Sequence, residues 1–112
     1  VTPSPHAPLG VLEEQVVVAV LRARDDAYGM EVRREIERAT TRELAIGAVY
    51  ATLDRLEAKG LLRSDRARLD GASRRLFAVT PAGARALADT RAMRERLWQG
   101  VDLGGLLALA GG

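Results

Sequence analysis

Five arginines fall within one short stretch, Leu61–Arg75: Arg63, Arg66, Arg68, Arg74 and Arg75, against Asp65 and Asp70. A guanidinium is a planar, permanently charged fork that matches phosphate oxygens two at a time. Such a cluster is chemistry for holding a polyanion, not for making or breaking bonds. Residues 1–60 carry 8 basic and 10 acidic side chains, and residues 61–112 carry 9 and 5, so the formal net charge of +2 conceals a local surplus. Of the 17 basic residues only Lys59 is a lysine.

Other chemistries are excluded by what is absent. There is no cysteine, which removes disulfide scaffolds, thiolate metal sites and thiol catalysis. The single histidine, His6, stands in a proline-rich stretch and cannot make a metal cluster alone. Glu13-Glu14 and Asp25-Asp26 are sequence neighbours that diverge on a helix, with no nucleophile beside them. Lys59 precedes Gly60 instead of closing a glycine loop. Four aromatic residues, Tyr28, Tyr50, Phe77 and Trp98, are too few for a single-strand stacking platform. No apolar run approaches the ~18 residues of a membrane span. The expectation is a cytoplasmic protein with no cofactor, no metal, no membrane partner and no enzymatic activity.

The elements that must position the arginines follow from periodicity. The chain of 112 residues, 47% apolar, stocks one core. Residues 1–8, with Pro3, Pro5 and Pro8, read as a disordered arm. Leu9–Ala27 reads as a first helix with a stripe of Leu12, Val16, Ala19 and Val20, widened by Val17 and Leu21. So wide a face implies burial on two sides. Either Asp25 or Asp26 can cap the next helix, Tyr28–Ala39, whose Tyr28, Val32, Ile36 and Ala39 make one apolar face. Glu31, Arg34, Glu35 and Arg38 make its solvated face. Thr40-Thr41-Arg42-Glu43 fits a capping-box pattern but reads better as the turn into a third helix, Ile46–Lys59, which Gly60 ends. Leu61–Arg68 and Arg74–Val79 read as a hairpin around Asp70-Gly71-Ala72-Ser73. Thr80-Pro81 is a cap followed by a preorganised first residue, opening a helix to about Gln99. Leu103, Leu106, Leu107 and Leu109 follow it in a glycine-rich tail. The order predicts a mainly α fold with a small β-hairpin (α+β): a helix-turn-helix followed by a two-stranded wing.

The third helix has two unlike faces. Ile46, Val49, Leu53 and Leu56 lie inward, and opposite them lie Gly47, Ala48, Ala51, Thr52, Arg55 and Lys59. A helix that enters a major groove must bring its backbone near the base edges, and small residues permit it. Thr52 and Arg55 are candidates for base or phosphate contacts, and Arg66, Arg68, Arg74 and Arg75 of the hairpin for flanking backbone. The alternative is a small helix face that docks on another protein.

The segment Gly47-Ala48-Val49-Tyr50-Ala51-Thr52-Leu53-Asp54-Arg55-Leu56-Glu57-Ala58-Lys59-Gly60-Leu61-Leu62 resembles the recognition-helix signature of the PadR-like transcriptional regulators. Leu9-Gly10, Leu12-Glu13 and Tyr28-Gly29 resemble that family's first two helices, and Arg75–Gly83 its wing strand and last helix. The resemblance spans about Leu9–Leu97. It implies a winged helix-turn-helix over residues 9–80 and a C-terminal dimerisation helix and tail over 81–112, as in the smaller subfamily. It also implies a homodimer on a pseudo-palindromic double-stranded DNA operator, repressing transcription and often released by a small molecule. Tyr50 then falls on the DNA-facing helix, and Leu12, Val16, Ala86, Leu87, Met93, Leu97, Trp98 and Val101 at the dimer interface. Trp98 is read as an interface anchor or as a stacking surface for a small aromatic effector. Two departures stand out. Ala45-Ile46 replace the usual Ser or Pro, leaving the third helix without a side-chain cap, and Phe77 stands where Tyr is common.

Overall fold

A computed structural model of the chain describes residues 7–111. Most of the expected N-terminal arm, His6 included, lies outside the described residues. The elements are α1 (Val11–Ala23), α2 (Gly29–Thr40), α3 (Ile46–Ala58), β1 (Leu62–Leu69), β2 (Ala72–Val79), α4 (Pro81–Trp98) and α5 (Gly104–Leu109). A single 3-10 turn, Arg24–Asp26, joins α1 to α2. The mainly helical fold with a two-stranded wing is the one expected.

α1 sits at the centre, packed against α2, α3, α4 and β2. Val16, Val17 and Val20 are buried in the core with Val32, Leu53 and Leu56. The helix is shorter than its periodicity indicates at both ends. Leu9 precedes it, buried, with its N–H donating to the Thr90 hydroxyl of α4 (3.0 Å). Gly10 opens the helix and donates its N–H to the Glu13 carboxylate (3.0 Å). At the other end Arg24 takes a positive φ of 53° and the chain tightens into the 3-10 turn. Asp25 and Asp26 are spent in that turn and do not cap α2. Tyr28 is the N-cap residue, and Asp26 contributes its carbonyl to the Tyr28 N–H (2.8 Å).

α2 turns Val32 and Ile36 inward, while Ala39, expected on the same face, is exposed in its last turn where the helix leaves the core. Its outer face is a lattice of ion pairs, with Arg34 and Arg38 on Glu31, Arg38 also on Glu35, and Arg22 of α1 on Glu35. These pairs are solvated and contribute little each. Thr40–Ala45 is the turn. Thr41 adopts φ 58° and donates its N–H to the Glu37 carbonyl (3.0 Å). The Thr40 hydroxyl donates to the Ile36 carbonyl (2.7 Å) and accepts from the Arg42 N–H (3.3 Å). The Glu37 carboxylate accepts the Leu44 N–H (3.0 Å), which seats Leu44 in the core.

α3 ends in a Schellman motif. Gly60 (φ 76°) donates to the Glu57 carbonyl and Leu61 to the Leu56 carbonyl. β1 and β2 pair antiparallel from Leu62↔Val79 out to Leu69↔Ala72, turning on Asp70-Gly71. Both turn residues have positive φ, 54° and 79°, the geometry that suits the twist of a two-residue hairpin. Leu62, Ser64, Arg66, Phe77 and Arg75 share one face of the ribbon. β1 does not alternate cleanly between apolar and polar residues, and the cause is simple: that face is buried at Leu62 and Phe77 and becomes solvated as the ribbon leaves the body. β2 is also tied to the α1–α2 connection by Phe77 N–H to the Ala27 carbonyl (2.9 Å).

The base of the wing and the start of α4 are joined at one point. Thr80 donates its N–H to the Leu61 carbonyl (3.2 Å) and its hydroxyl to the Gly60 carbonyl (2.7 Å). The same hydroxyl accepts the Gly83 N–H (3.0 Å), the cap foreseen from Thr80-Pro81. A Cβ at residue 83 would lie 2.0 Å from the Leu61 carbonyl oxygen.

Two expectations follow. Gly83→Ala must displace backbone and should cost about 3 kcal/mol or more, read from denaturant unfolding. Glu37 is held below its ordinary 4.5, first by the Leu44 N–H. A depressed carboxyl stabilises the fold above its unfolded pKa, and that contribution is lost as pH falls through the folded value. Glu37→Gln should therefore melt below the wild type at neutral pH, and the gap should close as the pH drops below about 4.5.

Candidate nucleic-acid interface

The outward face of α3 is small and open. Gly47, Ala48 and Ala51 are exposed, and Tyr50 is 39% exposed beside them. The helix starts at Ala45 with extended backbone, and among the described residues no side chain caps it. Its first N–H groups thus stand free at the positive end of the helix dipole. Tyr50 lies across Gly29 at the start of α2, where a Cβ would be 2.3 Å from Tyr50 Cζ. The glycine therefore lets the ring lie against α2.

Thr52 is not on this face, against expectation. It is 1% exposed, and its hydroxyl donates to the Ala48 carbonyl one turn back (2.8 Å). A threonine whose hydroxyl is satisfied within its own helix can be buried at little cost, and it packs as a core residue. Arg55 and Lys59 keep their place on the helix, but α1 claims their charge. Glu13 pairs with Lys59 (2.9 Å) and with Arg55 (3.5 Å). Burial alone would raise the Glu13 carboxyl; the Gly10 N–H, Lys59 and Arg55 together hold it below its ordinary value.

The wing divides its arginines into two kinds. Arg66 and Arg68 are exposed, Arg68 donating to the Gly71 carbonyl at the tip (2.8 Å). Arg74 is half-buried, its guanidinium 4.6 Å from the centre of the Tyr28 ring. The Tyr28 hydroxyl accepts from Arg34 (3.2 Å), so the ring carries two cations. Arg75 is turned inward. It donates to Asp54 (2.7 Å) and to Glu57 of α3 and to the Ser64 hydroxyl of β1 (3.1 Å), over the Phe77 ring. Glu57 is held low by the Ser64 hydroxyl and by Arg75. The expected free phosphate contact at Arg75 is thus already committed to two carboxylates.

The residues expected between two subunits are split. Val16 and Ala86 are buried in the core of the single chain, since both sit on the inward stripes of α1 and α4. Leu12, Leu87 and Met93 are half-buried, and Leu97, Trp98 and Val101 are exposed. Missed from sequence were Val11 and Val18 of α1, exposed like Leu21 of the widened stripe. Their i, i+7, i+10 spacing was the available signal. Val18 is a ridge between two grooves, one of about 420 Å³ toward α2 and one of about 880 Å³ toward α4. Glu14 and Arg94 pair across the two helices there. The α5 residues Leu106, Leu107 and Leu109 are exposed as well.

Known proteins share the fold. The model of the transcriptional regulator PadR-like family matches residues 17–89. The transcriptional regulator Rv3488 of Mycobacterium tuberculosis is 40% identical over 89 residues, which are 80% of this chain and 81% of that protein. A Streptococcus transcriptional regulator superposes with a TM-score of 0.70 at 24% identity, covering 80% of this chain and 86% of the other. A PadR family transcription regulator from Clostridium difficile does so at 0.60 and 22%, covering 89% and 98%. Those two likenesses concern the fold.

The seat of Tyr50 can be checked by a double-mutant cycle. Gly29→Ala should cost about 1–2 kcal/mol, with loss of the nuclear Overhauser contact between residue 29 and the Tyr50 ring. In a Tyr50→Ala background the same substitution should be close to neutral.

Proposed function

Because the chain belongs to the PadR-like family of transcriptional regulators, we propose that it acts as a homodimeric repressor that binds a pseudo-palindromic double-stranded operator. The observation that carries this reading is the open face of α3, Gly47, Ala48, Tyr50 and Ala51, standing at the end of a helix-turn-helix beside an arginine-bearing wing. Residues 9–80 are the DNA-reading part and residues 81–112 the dimerisation part. α3 enters the major groove. Arg66, Arg68 and Arg74 reach phosphates on the flank. With so little side chain on the reading face, sequence preference leans on DNA shape as well as on base edges.

The dimer reading is supported by the exposed apolar residues Val11, Val18, Leu21, Leu97, Trp98 and Val101. Large apolar side chains left in solvent in this number are of the kind that marks association. Two recognition helices would then meet half-sites about 34 Å apart. Trp98 anchors that interface, and an aromatic effector stacked on it would release the DNA. Such an effector should quench Trp98 fluorescence when planar dyes are titrated into the dimer. This reading gives the chain a place in the cytoplasm and no catalytic step.

The test is a mobility shift on the promoter of the protein's own gene, followed across salt. The wild type should bind at low salt and weaken steeply as salt rises. Arg74→Ala should weaken every duplex alike and lower the salt slope by about 1. A folded dimer that shifts no duplex at low salt would overturn the reading in favour of a protein-docking winged helix.

A further inference from the structure

Arg75 was expected to touch DNA, yet its contacts point elsewhere. Its Nε donates to the Ser64 hydroxyl of β1, one terminal nitrogen to Asp54, and the other to Glu57. Ser64 in turn donates to the second oxygen of Glu57 (2.7 Å). The guanidinium lies 4.6 Å from the centre of the Phe77 ring, itself buried in the core. One planar cation thus connects the recognition helix to both strands of the wing.

Charge argues the same way. Two carboxylates share one guanidinium, so the cluster is net negative and repels a phosphate. Arg66 stands directly opposite Arg75 in the register. Like charges in that position disfavour pairing unless something compensates. Asp54 and Glu57 supply that compensation, and Arg66 is left free to extend. The pairs are partly solvated, with Arg75 about one-third exposed and Asp54 more so. Their worth to overall stability is accordingly small. What they fix is an angle. A two-stranded ribbon is marginal on its own, and beyond its base at Gly60-Leu61 this cluster holds the wing to α3.

We infer that Arg75 is a positioning residue: its guanidinium, bridging Asp54 and Glu57 of α3 to Ser64 of β1, sets the angle of the wing to the recognition helix and does not contact DNA. A planar fork is required, because an ammonium cannot meet three acceptors in one plane. The inference rests on the DNA-binding reading for its consequence, and on the fold alone for its geometry.

The experiment compares the wild type with Arg75→Lys, Arg75→Gln, Asp54→Asn and the double variant Asp54→Asn/Glu57→Gln. Three readouts are taken: affinity for the promoter duplex, hydroxyl-radical footprint, and amide exchange of residues 62–64. Positioning predicts that R75K fails as R75Q does, each binding roughly tenfold more weakly. The protections flanking the major-groove contact should be lost and the amides of residues 62–64 should exchange faster. The double variant should also bind more weakly, although it gains two units of positive charge. A phosphate contact predicts the opposite signs: R75K binds like the wild type, and removing the carboxylates frees Arg75 and tightens binding. Either of those results overturns the inference. Asp54 is exposed, so D54N keeps the fold and decides the sign by itself if another variant does not fold. If the wild type binds no duplex, the DNA reading fails, and unchanged exchange at residues 62–64 in R75Q would then overturn the positioning role separately.

Discussion

The carbonyl of Leu61 is the point on which the rest of the structure turns. It follows the Schellman ending of α3, accepts the Thr80 N–H at the base of the wing, and presses on Gly83 in the first turn of α4. Three elements are thereby registered against one backbone atom. Because that atom is backbone, no rotamer change relieves a clash there, and the requirement for glycine is steric. The base of the wing and the start of α4 take their placement on the end of α3 from this junction.

Around it many of the charges are paired within the chain. Most basic residues of the first three helices are answered within the chain: Arg22, Arg34 and Arg38 on the Glu31–Glu35 lattice, Arg33 on Glu37, and Arg55 with the α3 cap residue Lys59 on Glu13. Arg94 is answered by Glu14 and Arg75 by Asp54 and Glu57. Arg66, Arg68 and Arg74 are left to present positive charge along the ribbon. A net charge of +2 therefore says little about partners, whereas the pattern of pairing says a good deal.

Much of this was legible in the sequence because it is local. Thr80-Pro81, Gly60 and Asp70-Gly71 announce a cap, a helix end and a tight turn from their own backbone preferences. The α3 stripe of Val49, Leu53 and Leu56 announces a buried face by spacing. What was not legible depended on position across the fold. Thr52 lies at the edge of that stripe, where periodicity cannot decide, and its bond to Ala48 let it go inward. Val16 and Ala86 were apolar and at the right spacing for an interface, but the chain used them for its own core. The commitments of Arg75, Arg55 and Lys59 join residues far apart in sequence, and Glu13 or Asp54 carries no local sign of its partner. The aspartates at 25 and 26 had the right chemistry for a cap, one turn too early.

The junction at Leu61 also has a mechanical meaning. From Gly83 to Trp98, α4 rises about 22 Å at 1.5 Å per residue. From Leu62 to the turn at Asp70-Gly71, the ribbon reaches about 25 Å at roughly 3.3 Å per residue. Two arms of nearly equal length thus leave one junction, and a tilt of about 5° about it would displace the end of either arm by about 2 Å.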